Sequence, residues 1–254
     1  MAVITPRVHW GSREVDWTYI PETADLAAIA RPLFVEALGM MAFVFAAGAA
    51  IVINGHTDGS LGLLGMGVAT AIAFAILVLA FHPISGGHIN PAITLGIVAS
   101  GRMPPSIGLL YGAAQFGGAV LGALLLEVVF ADVVADTSAA ASLFFDSAAI
   151  DGWTGGVLEG VLTFLLVAVY FRTFVHGGEG DKTLGAMMLG GVVLLAFLVA
   201  YPLTGAAMNV ARVFGTDLVA GEFTDYGYYL LGLIGGALAG LTYRYIFAAE
   251  HEDY

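Results

Sequence analysis

Two short stretches of this chain carry the same polar residue types at the same spacing. Ser85-Gly86-Gly87-His88-Ile89-Asn90-Pro91-Ala92-Ile93-Thr94-Leu95-Gly96 aligns with Thr204-Gly205-Ala206-Ala207-Met208-Asn209-Val210-Ala211-Arg212-Val213-Phe214-Gly215. The common pattern is a small hydroxyl, Gly, three variable residues, Asn-x-Ala, three variable residues and Gly. Asn caps helix N-termini well, and Asn90 precedes Pro91, whose missing N–H costs nothing at the first helical position. A capping Asn spends its side-chain oxygen and keeps an NH2 group to donate. Two helix N-termini brought together also place about half a positive charge each at one depth. Such a centre donates hydrogen bonds to a neutral polar molecule while repelling cations and protons. Arg212, three residues after Asn209, must face water or pair with an acid such as Asp217 or Glu222 if it lies within a membrane. This is the chemistry of binding and passage. No Ser-His-Asp order, metal-ligand cluster or phosphate-binding glycine loop occurs in the sequence. The reading is therefore a non-enzyme with no cofactor and no metal, and the 0 cysteines remove thiolate chemistry and disulfides as well.

The composition supplies the membrane that these residues need. The 254 residues are 59% hydrophobic and 11% charged, with a mean hydropathy of +0.91, whereas a soluble domain carries about a quarter of its residues charged. Six apolar runs reach the roughly 20 residues that a bilayer-crossing helix requires: 32–53, 61–81, 106–130, 152–175, 183–201 and 226–248. The apolar pieces after His82 and after Tyr201 are about ten residues each, too short to cross, and predict re-entrant half-helices. Glu36 in span one and Glu159 in span four lie at similar distances before Asn90 and Asn209. Each copy thus holds three spans and one half-helix. An odd number of spans forces the copies into opposite orientations, an inverted repeat whose broken helices mark a permeation site.

The expected fold is an all-α integral membrane protein of six transmembrane helices plus two half-helices over residues 31–248, with repeats at about 31–130 and 152–248. Tails at 1–30 and 249–254 complete the chain, and Trp10, Trp17 and Tyr19 in the first are candidates to touch the membrane interface. Arg7, Arg13, Arg31, Arg102, Arg172, Lys182 and Arg244 all fall on one side of the six spans, while loops 54–60 and 132–151 hold no Lys or Arg. Retained cations mark the cytoplasmic side, so a multi-pass cell-membrane protein with both termini cytoplasmic is expected. A net charge of −12 with 8 Lys and Arg excludes a nucleic-acid partner.

With these residues in place, the chain resembles the aquaporins, the major intrinsic protein family of water and glycerol channels. The match runs from Glu36 in Glu-Ala-Leu-Gly-Met-Met-Ala-Phe-Val-Phe, through the two Asn motifs, Gln115 and Glu159, to Gly235-Gly236-Ala237-Leu238. The resemblance implies a right-handed aquaporin-like bundle assembled as a homotetramer with one pore per subunit. It implies pore motifs at Asn90, Pro91, Ala92 and at Asn209, Val210, Ala211, where Val210 replaces the family's second Pro. That replacement keeps the cap and costs about 0.5–1 kcal/mol, by analogy with residue-to-Pro changes.

By the family's spacing, Thr70, Phe197, Ala206 and Arg212 form the outer selectivity filter. Water-selective members carry an aromatic in place of Thr70 and a His in place of Phe197, so small Thr70 and Ala206 imply a wider constriction. Phe74, one turn from Thr70, is a candidate to fill part of that space. Tyr228 and Tyr229 stand where water channels tend to have aromatics, and Val213 lacks the Asp that glycerol facilitators show after the Arg. Glu36, Glu159 and His88 are expected to support the re-entrant loops, with a proton relay as the alternative for the two acids. His82 and His176 are candidate titrating residues at the cytoplasmic mouth or plain loop residues. The function implied is a passive water channel in the lipid bilayer, with glycerol or other small neutral solutes as the alternative permeants. A closed-pore structural protein is a lesser alternative. A secondary transporter needs coupling carboxylates beside Asn90 or Asn209, and none is there.

Overall fold

The computed structural model describes residues 7–10, 13–16, 26–133, 141–143, 145–176 and 182–247. Helices α1 (Leu26–His56), α2 (Gly62–Ser85), α3 (Pro91–Ala99) and α4 (Pro105–Phe130) form the first copy. The second holds α5 (Gly152–Tyr170, extended by a π-helical turn at Phe171–Val175), α6 (Lys182–Thr204) and α7 (Val210–Ala220). It closes with α8 (Tyr226–Tyr229) and α9 (Leu231–Thr242), the latter extended by a second π-helical turn at Tyr243–Phe247. Six segments are long and apolar enough to cross a bilayer: Ile29–His56, Gly62–Ser85, Pro105–Phe130, Gly152–Val175, Lys182–Thr204 and Tyr226–Phe247. The helices α3 and α7, at 9 and 11 residues, are not.

Packing follows the repeat. Helix α1 lies against α4 and α2, and α5 lies correspondingly against α9 and α6. The half-helices cross over: α3 packs on α9 of the second copy, and α7 on α4 of the first. Helices α2 and α6, equivalent by the repeat, meet each other. Such crossings require bare backbone. A Cβ on Gly118 would come within 2.1 Å of the Ala37 carbonyl of α1, and one on Gly235 within 2.0 Å of the Gly160 carbonyl of α5. Gly240 and Gly215 do the same for the half-helices, at 2.1 Å from Gly96 O and 2.5 Å from Ala119 O. Close approach over small residues is how helices associate where lipid removes the hydrophobic drive.

Two helices run further than hydropathy suggests. Helix α2 continues through His82 and Pro83 to Ser85, and α6 through Pro202 to Thr204. A proline so near a helix end removes only one intrahelical bond. The real stops are Gly86 and Gly205, at left-handed φ of 88° and 76°, the conformation that glycine adopts at no steric cost. The chain is not wholly helical: Arg7–Trp10 and Arg13–Asp16 pair as an antiparallel hairpin, Arg7 opposite Asp16. Trp17, Tyr19 and the tail at 249–254 lie outside the described residues.

Candidate functional site

Both re-entrant loops follow one backbone path. After the terminal glycines, Gly87 and Ala206 lie at φ 60° and 48°, and Ile89 and Met208 at 45° and 48°. Three of these four are non-glycine residues in the left-handed region, which persists only where the surroundings hold it. The holders are the buried carboxylates. Glu36 accepts Ser85 Oγ at 2.6 Å, His88 N at 2.9 Å, Ile89 N at 2.7 Å and Gln115 Nε2 at 2.8 Å. Glu159 accepts Thr204 Oγ1 at 2.6 Å, Ala207 N at 3.0 Å and Met208 N at 2.7 Å. Tyr111 and Tyr229 complete the correspondence, donating to the carbonyls of Ser85 and Thr204 at 3.0 and 2.6 Å. Every carboxylate oxygen is thus committed to fixing a loop, an arrangement that suits support rather than a relay of protons.

The two Asn residues face one another across the repeat axis. Asn90 caps α3 by accepting Ala92 N at 2.8 Å, and its Nδ2 donates to Met208 O at 2.8 Å. Asn209 caps α7 more loosely, accepting Arg212 N at 3.4 Å, and its Nδ2 donates to Ile89 O at 2.8 Å. Each amide therefore holds the other loop with one N–H, and the left-handed turn at Ile89 or Met208 is what aims the receiving carbonyl. The second N–H of Asn90 remains for a passing molecule, while Asn209 Nδ2 also lies 3.7 Å from Met40 Sδ. The N-termini of α3 and α7 end together here, so their dipoles add at one depth.

A narrow cavity runs past this pair. Asn90, Asn209, Arg212 and the loop residues Ala206, Ala207 and Met208 line it on one side, and the apolar Phe43, Phe74, Leu166 and Val193 on the other. Arg212 is 3% exposed, and its Nη2 has no hydrogen-bond partner among the described residues; no ion pair joins it to Asp217 or Glu222. Its guanidinium carbon lies 5.8 Å from the Phe43 ring centre and 5.7 Å from that of Phe197. A buried arginine with an unspent donor beside an internal cavity is equipped to bind a polar molecule there.

The predicted filter residues are not all at the cavity wall. Ala206 and Arg212 line it, whereas Phe197 and Thr70 are absent from the lining. Phe197 stacks on Tyr201, ring centres 4.8 Å apart, and reaches the site through Arg212. Thr70 is fully buried, and its hydroxyl has no hydrogen-bond partner among the described residues. His88 is also buried, with Nδ1 3.0 Å from Thr94 Oγ1 and its ring against Tyr111 and Tyr170, within the packed loop support. Of the mouth histidines, His82 Nδ1 lies 3.0 Å from Gly86 O and His176 Nδ1 3.0 Å from Tyr243 Oη. Sequence reasoning did not single out Phe43, Thr94, Tyr111 or Tyr170. All but Thr94 are aromatics on predominantly apolar spans, where one more aromatic carries no signal.

Six membrane-length helices around two half-helices that meet at their N-termini define a polytopic channel-type membrane protein. The Major intrinsic protein family model matches residues 24–243, and the chain belongs to that family. An aquaporin from Zea mays, TIP4-4, is 36% identical over 239 residues, covering 91% of this chain and 92% of its own. A probable TIP-type aquaporin from Nicotiana tabacum, RB7-18C, is 37% identical over 232 residues, with 86% and 90% covered. Among solved structures, the X-ray structure of the Plasmodium falciparum aquaglyceroporin superposes with a TM-score of 0.74 at 20% identity, over 87% of this chain and 98% of that one. At that identity the likeness speaks to fold alone.

Proposed function

We propose that this protein is a passive channel that lets water cross a membrane along an osmotic gradient and excludes protons and ions. The observation that carries the reading is the cavity past Asn90, Asn209 and Arg212, with donors on one wall and Phe43, Phe74, Leu166 and Val193 on the other. A water in it exchanges hydrogen bonds along the donor wall and finds none opposite, so it moves without being held. The joined half-helix termini and Arg212 oppose any cation, hydrated proton included. Arg212 with Phe197 and Ala206 forms the outer constriction, and Glu36 and Glu159 fix the loops. The active unit is a homotetramer in a cell membrane with both chain termini cytoplasmic. A second reading, facilitation of glycerol or similar neutral solutes, is favoured by one feature, the small side chain of Ala206 on the cavity wall.

Stopped-flow light scattering on proteoliposomes tests the main reading. An impermeant osmolyte is expected to shrink them much faster than empty vesicles, at a rate with the weak temperature dependence of a pore. Shrinkage no faster than that of empty vesicles overturns it. In the same assay, Arg212→Val is expected to admit small solutes or cations, and unchanged selectivity removes Arg212 from the constriction.

A further inference from the structure

The residues at the level of Arg212 leave the size limit of the pore unexplained. Ala206 has a single methyl group, and Thr70, whose buried hydroxyl has no hydrogen-bond partner among the described residues, does not line the cavity. On α2 the residue four positions on from Thr70 shares its face and lies about 6 Å further along the axis. That residue, Phe74, lines the cavity together with Arg212 and the Asn pair. Phe43 reaches the same depth from α1. Met40, one turn before it, meets Asn209 Nδ2 through its sulfur at 3.7 Å, and Phe43 itself faces Arg212 at 5.8 Å.

The two rings touch each other, with centres 5.2 Å apart and planes tilted by 60°. Both rings line the cavity with Asn90, Asn209 and Arg212, so in contact they form one continuous aromatic surface there, with Phe43 5.8 Å from the guanidinium carbon. The bulk of that surface sets the room left beside the donors, and a three-carbon chain needs more of it than a single water molecule does. Both rings are nearly inaccessible, at 3% and 1% exposed, and Phe74 is packed into the bundle rather than free to swing aside.

We infer that Phe74, braced by Phe43, is the steric gate of this channel: size selection lies one helical turn on from Thr70, and the pore passes water but rejects three-carbon polyols. The small residues beside Arg212 form a vestibule to this gate rather than a wide filter. Phe43 is the positioning partner, because its ring limits where the Phe74 ring can lie.

This inference rests on the channel reading, and one experiment separates the two. Proteoliposomes of the wild type, Phe74→Leu, Phe74→Ala and Phe43→Leu are compared for shrinkage in an impermeant osmolyte and for re-swelling in glycerol. The wild type is expected to shrink fast and show no glycerol re-swelling beyond that of empty vesicles. Both Phe74 variants are expected to re-swell in glycerol several-fold faster than the wild type when each rate is taken relative to the same variant's osmotic shrinkage, with Ala above Leu. Phe43→Leu is expected to give a smaller gain. Should Phe74→Ala fail to reconstitute, Phe74→Leu, which keeps an apolar side chain but loses the ring, carries the test, and Phe43→Leu stands behind it. Rapid glycerol re-swelling by the wild type overturns the gate, as do variants that keep water flux and stay closed to glycerol. Absence of wild-type water flux overturns the channel reading instead.

Discussion

The two copies of the Asn motif differ at the residue scale by one telling substitution. Val210 occupies the first position of α7, where the family pattern and the first copy have Pro. Asn209 lies at φ −151° and ψ 98°, extended backbone outside the helical region that a following proline disfavours. The N–H of a first-turn residue has no intrahelical acceptor to lose. Val210→Pro is therefore expected to raise the thermal unfolding midpoint in detergent, by a stability gain of about 0.4–1 kcal/mol, and to leave osmotic water flux intact. A lowered midpoint places a hydrogen bond on the Val210 N–H. Residue types alone disclosed the Asn pair, Arg212 and the two carboxylates, because polar groups stand out in apolar sequence. They could not disclose that Ile89 O and Met208 O receive the Asn amides, since a backbone acceptor is invisible in a side-chain alphabet. Nor could they separate Thr70 from Phe74: both fit one face of α2, and only the packed bundle decides which one borders the cavity.

At the scale of elements, the half-helices were legible because ten apolar residues cannot cross a bilayer, and their ends were not, because Gly86 and Gly205 rather than His82 or Tyr201 stop the preceding helices. The hairpin at residues 7–16 escaped prediction since four-residue strands carry little periodic signal. The partnering of elements was equally hidden: glycines mark close packing in general, but only the fold says which backbone each one meets. Gly118 and Gly117 make this testable on adjacent residues of α4. A Cβ at 118 would lie 2.1 Å from Ala37 O, a backbone atom that cannot move without shifting α1, whereas at 117 nothing lies within 4 Å. Gly118→Ala is expected to lose on the order of 1–3 kcal/mol through overpacking and to broaden or aggregate in size-exclusion chromatography. Gly117→Ala is expected to be neutral or to gain up to about 0.5–1 kcal/mol from the removal of a helix-interior glycine. Equal behaviour of the two variants means that α1 and α4 do not cross as described.

The whole molecule is an inverted repeat, and the proposed orientation of it in the membrane rests on the charge distribution. The even number of spans returns the chain to the side on which it began, and the sequence stretches 54–60 and 132–151 carry no Lys or Arg, the mark of a non-cytoplasmic side. The absence of cysteine makes this directly measurable, because any introduced thiol is the only one. Ser60 and Ser106 are both exposed and follow and precede opposite ends of the bundle, Ser60 just before α2 and Ser106 in the first turn of α4. In intact cells a membrane-impermeant maleimide is expected to label Ser60→Cys, and to label Ser106→Cys only after permeabilisation. The reverse pattern inverts the assignment, and labelling of both in intact cells breaks the six-span count. The same background extends to the pore. Mercuric ion has no thiolate to bind in the wild type, so water flux is expected to be unaffected, whereas Ala207→Cys, on the cavity wall, is expected to be blocked and then restored by excess thiol. Block of the wild type, or indifference of the Ala207→Cys channel, places the path of water somewhere other than between Asn90 and Arg212.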